Sequence, residues 1–119
     1  MSQTVPLSVS VSVVLNGSGG GQVQSGPALP GVAWNPSSVA VLVQPVSTTV
    51  VSQFLLYLGP PQAANFQGGT YTGDNNSDDL ALPPMYAGQV LTGVWTGGNP
   101  GATATMTLTG TQDIPGNAV

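Results

Sequence analysis

The sequence predicts an all-β fold: a single antiparallel β-sandwich of seven or eight short strands, Ig-like or jelly-roll-like. Two segments alternate apolar and polar residues with a period of two, LSVSVSVVL over residues 7–15 and ATATMTLTGT over residues 102–111. Turn-forming residues recur about every 8–12 positions, and no segment has a helical period of useful length. The 17 glycines and 11 prolines suit the turns of such a fold, because the 40% apolar content is that of a folded chain.

The first half of the chain divides into strands and turns as follows. Residues 7–15 form a half-buried strand, and residues 1–6 precede it as an N-terminal arm, so the sandwich domain spans residues 7–119. A turn at 16–21 leads to a short strand at 22–25 and an irregular segment at 26–36 that contains three prolines. Residues 39–46 are apolar on both faces, which is typical of a central strand that ends near Pro45.

The second half continues the pattern. Residues 50–58 form a strand that Gly59-Pro60-Pro61 stops, and a weak strand follows at 70–72. Residues 73–79 are the most polar stretch and predict a solvated loop. We expect strands at 89–96 and 102–111 to form a hairpin around the turn at 97–101.

Charge is the most restrictive property of this sequence. The chain has no Lys, Arg, His or Cys, and its only carboxylates are Asp74, Asp78, Asp79 and Asp113. Its side chains therefore supply no cation, no proton shuttle near neutral pH and no thiolate, one of which most enzyme mechanisms require. We expect a protein that is not an enzyme and that uses no cofactor.

The same absence bears on partners and location. Nucleic-acid binding and attachment to an anionic membrane depend on Lys and Arg, so we expect neither partner. No apolar run reaches the ~18 residues of a spanning helix. The first residues lack the positive and apolar regions of a signal peptide, so we expect synthesis in the cytoplasm without secretion by that route.

One segment has the spacing of a cation-binding loop. Asp74, Asn76 and Asp78 follow the D-x-N-x-D pattern of oxygen ligands for calcium. The sixth loop position, however, is Asp79 instead of Gly, and the twelfth is Met85 instead of Glu. We therefore expect a solvated turn without a metal, and these three residues are weak candidate ligands.

The aromatic residues allow two interpretations, a sugar-stacking platform or ordinary packing in the core and at its rim. They are Trp34, Trp95, Tyr57, Tyr71 and Tyr86. Trp95 shares the register of Leu91 in its strand, which favours the core.

The C-terminal third resembles small β-sandwich proteins in the structural modules of tailed bacteriophages, especially those of actinobacterial hosts. The resemblance rests on Gly69–Asp74 (GTYTGD), Gly88–Leu91 (GQVL), Val94–Ala102 (VWTGGNPGA) and Leu108–Thr111 (LTGT). It covers about forty residues and includes no catalytic motif. It implies a virion component, and the small, Cys-free chain is similar to head-decoration proteins, which often act as trimers.

The expected function is that of a capsid decoration (cement) protein, which binds the outer face of the capsid lattice and stabilises the head. Its partners would be the major capsid protein and copies of itself, in a homo-oligomer such as a trimer. A neck, collar or tail structural protein and a glycan- or receptor-binding module of the virion are the alternatives. The candidate partner-binding residues lie in the arm and in two Pro-rich loops: Met1, Ser2, Gln3, Thr4, Val5, Pro6, Leu29, Trp34, Pro83, Pro84 and Tyr86.

Overall fold

The computed structural model describes residues 2–27, 30–44, 50–68, 75–80 and 82–115. Within these ranges the chain forms eight strands, one 3-10 turn at Ala63–Asn65 and no α-helix. The strands are β1 (Ser2–Val14), β2 (Gly21–Ser25), β3 (Ala33–Gln44), β4 (Gln53–Leu58), β5 (Phe66–Gly68), β6 (Asn75–Asp79), β7 (Leu91–Thr96) and β8 (Thr103–Pro115).

The strands form two four-stranded antiparallel sheets that pack face to face, so the predicted all-β sandwich is confirmed. Sheet A has the order β1-β8-β3-β6, and sheet B has the order β2-β7-β4-β5. Each sheet thus joins an early strand to a late one: β1 to β8, β3 to β6, β2 to β7 and β4 to β5. This connectivity is that of a jelly roll, the eight-stranded sandwich of two Greek keys.

The core lies between the two sheets, and β1, β3, β4 and β8 supply alternate residues to it. Sheet A contributes Leu7, Val39, Val41 and Val43 together with Ala104, Met106 and Leu108, all of them buried. Sheet B contributes Phe54, Leu56, Leu91 and Trp95, also buried. Each large apolar side chain that is removed from water in this way stabilises the fold by about 1.5–3 kcal/mol.

Sheet A is longer than sheet B, and loops cover the overhang. Strands β1, β3 and β8 have 12 or 13 residues, whereas no strand of sheet B exceeds six within the described ranges. Beyond sheet B, Trp34 of β3 exchanges two backbone hydrogen bonds of 2.8 Å with Met85. Met85 is fully buried and Trp34 is 8% exposed, so the loop that carries Met85 closes this end of the core.

The Gly-rich turn after β1 is held in place by a second Gly-rich turn. The Asn16 side chain accepts hydrogen bonds from the backbone N–H groups of Ser18 and Gly20, at 2.9 and 3.1 Å. Gly98 donates its N–H to the carbonyl oxygen of Gly19 at 2.8 Å. A Cβ at Gly19 would lie 2.0 Å from the Gly98 carbonyl oxygen, so only glycine permits this approach.

Several sequence-based expectations need correction. β7 and β8 lie in different sheets, so the expected hairpin between them is wrong. β1 begins at Ser2 instead of Leu7, and residues 2–6 pair with residues 111–115 of β8. Residues 75–79 form β6 instead of a loop, because their backbone pairs with residues 38–42 of β3. The expected strand at 70–72 lies outside the described residues.

We expect the substitution Trp95→Ala to destabilise the protein by about 3–5 kcal/mol, since it opens a cavity in the core. Trp95 is fully buried, and its ring centroid lies 4.9 Å from that of Phe54. Unfolding in denaturant measures the loss, with Tyr86→Ala as the control, because Tyr86 is 60% exposed. Equal stability losses in the two variants would contradict the assigned packing.

We expect Gly110→Ala to destabilise the protein by about 1–3 kcal/mol, because a methyl group has no room there. Gly110 lies opposite the β-bulge between Pro36 and Ser38, and its Cβ would come 2.3 Å from the carbonyl oxygen of Asn35. Gly17→Ala is the matched control, since nothing lies within 4 Å of a Cβ at Gly17. Thermal unfolding of both variants checks the difference, and a Gly110→Ala protein as stable as Gly17→Ala would refute it.

Candidate functional site: the hydroxyl face of sheet A

The outer face of sheet A is covered with serine and threonine hydroxyls. β1 and β8 pair over 13 positions, and most of their apolar residues point inward, so the serines and threonines at positions 4–12 and 103–111 point outward. The neighbouring strands β3 and β6 each add a serine. We call this surface the hydroxyl face, and it comprises Thr4, Ser8, Ser10, Ser12, Ser38, Ser77, Thr103, Thr105, Thr107, Thr109 and Thr111.

Hydrogen bonds between strands connect these hydroxyls. The hydroxyl oxygens of Ser10 and Thr107 lie 2.9 Å apart, and those of Ser12 and Thr105 lie 3.0 Å apart. Ser38 and Thr109 form a third such bond. Because a hydroxyl has one donor and two acceptor lone pairs, each pair keeps acceptor capacity for a partner.

The geometry of the sheet gives the side chains of the hydroxyl face a regular spacing. Successive outward residues on a strand are about 6.6–6.8 Å apart, and neighbouring strands are about 4.8 Å apart. Each threonine presents a methyl group beside its hydroxyl, and the exposed Val14 and Ala40 add apolar surface. The face therefore offers hydrogen bonds and apolar contact together, without any charge in its central rows.

A shallow hollow of about 640 Å³ lies on this face, next to β6. Ala40 and Leu42 of β3 form its apolar part, and its polar part comes from Asn75, Ser77, Thr105 and Thr107. Serine and threonine hydroxyls need a base to act as nucleophiles, and this sequence has no histidine or lysine to serve as one. The hollow thus places amide and hydroxyl groups beside apolar side chains.

The weak metal candidates are not brought together as a loop. Asn76 and Asp78 lie in β6 opposite Val41 and Val39, while Asp79 faces the other way in the alternation of the strand. The Asn76 and Asp78 side chains accept the N–H of the residue that follows each, both at 2.9 Å. Asp74 lies outside the described residues. Among the residues that are described, no three acidic side chains are grouped as metal ligands would be.

The candidate partner-binding residues of the arm lie in β1. Gln3, Thr4 and Pro6 are exposed, Val5 is half-buried, and Thr4 donates a 2.6 Å hydrogen bond to the Asp113 carboxylate. Ser2 is the first residue of the strand. Met1 lies outside the described residues, as does Leu29 of the first Pro-rich loop.

The two Pro-rich segments differ in what they expose. The expectation of an irregular segment at 26–36 is wrong at Trp34, which lies in β3 and is 8% exposed. In the second segment, the buried Met85 anchors the chain and leaves Pro83, Pro84 and Tyr86 exposed on either side. These three residues remain predicted contact residues.

Sequence reasoning did not identify the hydroxyl face as a site. The alternation that reveals it is visible in both segments, at residues 8–12 and 103–109. The sequence does not show that these segments, more than 90 residues apart, are neighbours in one sheet. The hydroxyls of the two segments form one surface only because β1 pairs with β8.

We expect calcium to leave the melting temperature unchanged, because Asp79 points away from Asn76 and Asp78, whose side-chain oxygens already accept backbone N–H groups. A calcium ion present at about 100 times its Kd would add about 2.7 kcal/mol of stability, a shift of several degrees for a chain of this size. Melting with calcium and then with chelator measures this. A calcium-dependent rise that Asp78→Ala abolishes would show that a site exists.

No helix within the described ranges is long and apolar enough to cross a membrane. Comparison of the chain with protein-family models, with curated proteins and with solved structures finds no significant match.

Proposed function

We propose that this chain is a structural protein of a virus particle, and specifically a head-decoration protein of a tailed phage that binds the outer face of the capsid lattice. The hydroxyl face is the observation that supports this proposal. It is a broad surface with uncharged central rows, already organised by hydrogen bonds before any partner arrives. A surface fixed in this way loses little conformational entropy on docking.

The chemistry of the side chains favours a structural role over a catalytic one. With no Lys, Arg, His or Cys, the chain lacks the groups that most reactions need. Within the described residues, the carboxylates near the hydroxyl face lie at its margins: Asp79 on the edge strand β6, and Asp113 at the end of β8, where it accepts a hydrogen bond from the Thr4 hydroxyl.

A protein with as few charged side chains as this one, four carboxylates in 119 residues, suits dense decoration of a shell. Many copies can lie side by side because the repulsion between surfaces with few charges is small. Each contact through hydroxyl and methyl groups is modest, but a molecule that bridges neighbouring shell subunits gains from multivalency. Jelly rolls also occur in viral capsid proteins, which supports the proposal as an analogy of fold and no more.

Two alternatives share parts of this argument. A neck, collar or tail protein would use the same surface chemistry and differ in its position and copy number. A glycan-binding module is favoured only by the amide and hydroxyl groups around the hollow. Both tryptophans are buried and none of the described aromatic residues lines the hollow, so the stacking platform of a sugar site has little support.

We expect purified particles to carry this protein in hundreds of copies on the outside of the head. Electron microscopy of the particle, together with quantitative mass spectrometry, measures position and copy number. About a dozen copies at the neck or tail would instead identify a neck, collar or tail protein. Absence from the particle would overturn the proposal.

We further expect Ala40→Lys to weaken binding to shells that lack the protein at least about tenfold, since it places an unpaired charge inside the contact. Ala40 is exposed and lies in the hollow of the hydroxyl face. Gln22→Lys is the matched control, because Gln22 is exposed on β2 of sheet B. Equal loss of binding in both variants would show that overall charge, and not this face, controls docking.

A further inference from the structure

Within the described residues, the two sheets have four edge strands, and these differ in how well they are protected from pairing with another chain. The edges are β1 and β6 in sheet A, and β2 and β5 in sheet B. An edge strand presents backbone N–H and C=O groups that can template a further strand. Short length and charged side chains are two common means of preventing this.

Three of the four edges have such protection. In the described part of the chain, β5 spans three residues and β2 spans five. β6 also has five residues, and it carries Asp78 and Asp79, which are half of all the carboxylates in the sequence. Like charges on facing strands would repel a second copy of β6.

β1 has neither form of protection. It spans 13 residues without an ionisable side chain. Its inward valines Val9, Val11 and Val13 are only partly buried, whereas the residues opposite them on β8, Leu108, Met106 and Ala104, are fully buried. The valines thus keep apolar surface along the edge that a further strand would cover.

The direction of the backbone groups in β1 follows from its two ends. Leu15, just after the strand, donates its N–H to Ala102 across the β1–β8 pair at 2.8 Å. Because successive residues of a strand point their backbone groups to alternate sides, the odd-numbered residues bond to β8 and the even-numbered ones face the free edge. Pro6 agrees with this assignment, since proline is tolerated where its missing N–H would face solvent.

We propose that two copies of this chain associate through β1, antiparallel about a two-fold axis, so that sheet A continues across both copies as an eight-stranded sheet. A register centred on Ser10 pairs Ser8 of each copy with Ser12 of the other. Such an interface is self-complementary, so one patch serves both copies. The hydroxyl faces of the two copies then form one surface.

The second copy suits this edge better than a charged peptide does. The strand has no charge to complement, and its free backbone groups supply donors and acceptors in equal alternation at Ser8, Ser10 and Ser12. Antiparallel pairing with itself also places the partly buried valines of both copies side by side. This inference does not depend on shell binding, because it concerns the free protein.

Sedimentation of the purified full chain tests the proposal. We expect a dimer, and we expect Ser10→Lys to raise its Kd at least about tenfold, because two lysines then face each other at the axis. Thr107→Lys is the matched control: it adds the same charge and breaks the same 2.9 Å hydrogen bond, but it lies one strand away from the edge. It should leave the dimer intact.

Backbone variants test the assignment of the two sides of β1. Ser10→Pro removes an N–H that faces the edge, so the protein should stay folded but become monomeric. Val9→Pro removes an N–H that bonds to β8, so it should lower the melting temperature strongly. Circular dichroism measures the melting temperature of each variant, and sedimentation shows whether it is a monomer or a dimer.

Hydrogen exchange gives a direct readout at the interface. We expect the amide hydrogens of Ser8, Ser10 and Ser12 to exchange slowly in the dimer and quickly in the Ser10→Lys variant. A protein that remains monomeric at the highest soluble concentration would overturn the proposal. A dimer or trimer in which these amides exchange quickly, or which Ser10→Lys leaves unchanged, would overturn it as well.

Discussion

The pairing of β1 with β8 is the constraint on which the rest of this structure depends. It joins residues 2–14 to residues 103–115 without a register shift. The pairing places Leu7 and Leu108 in the core and Ser10 and Thr107 on the surface. Because side chains alternate, a slip of one residue would turn the hydroxyls of one strand inward and its apolar residues outward. The core and the hydroxyl face are therefore two consequences of one register.

The protein holds this register without ion pairs between side chains, since it has no basic side chain. Cross-strand hydroxyl bonds such as Ser12–Thr105 replace the charged pairs that often line an exposed sheet. Each bond on an exposed surface adds little stability, so burial of apolar side chains supplies most of it. The hydroxyl bonds serve chiefly to align neighbouring strands and to order the surface.

The sequence predicted strands best where one face of the strand is buried and the other is exposed to solvent. β1 and β8 show this pattern, and the structure confirms strands at both. The segment that is apolar on both faces also forms a strand, β3. β6 was missed because NNSDD has no apolar face, and only backbone pairing with β3 makes it a strand. Trp34 was misread because the prolines around it suggested a loop, whereas Pro36 lies at a β-bulge opposite Gly110.

Local sequence patterns did not show which strands pair with each other. The alternation in β7 and β8 fits a hairpin equally well, but the jelly roll sends these consecutive strands to opposite sheets. The candidate site was missed for the same reason, because it depends on strand pairing that local patterns do not show. Its hydroxyls are visible in the sequence, while their meeting on one face depends on contacts between segments about 100 residues apart.

The position of the few charges suggests how sheet A would stop growing. If β1 pairs with β1 of a second copy, the eight-stranded sheet ends on both sides at β6, where Asp78 and Asp79 lie. Carboxylates on both outer edges repel further copies, so the assembly closes at two instead of extending into a fibre. The uncharged edge at β1 thus allows one contact between copies, and the acidic edge at β6 prevents further contacts. That arrangement needs no more than the few carboxylates this sequence contains.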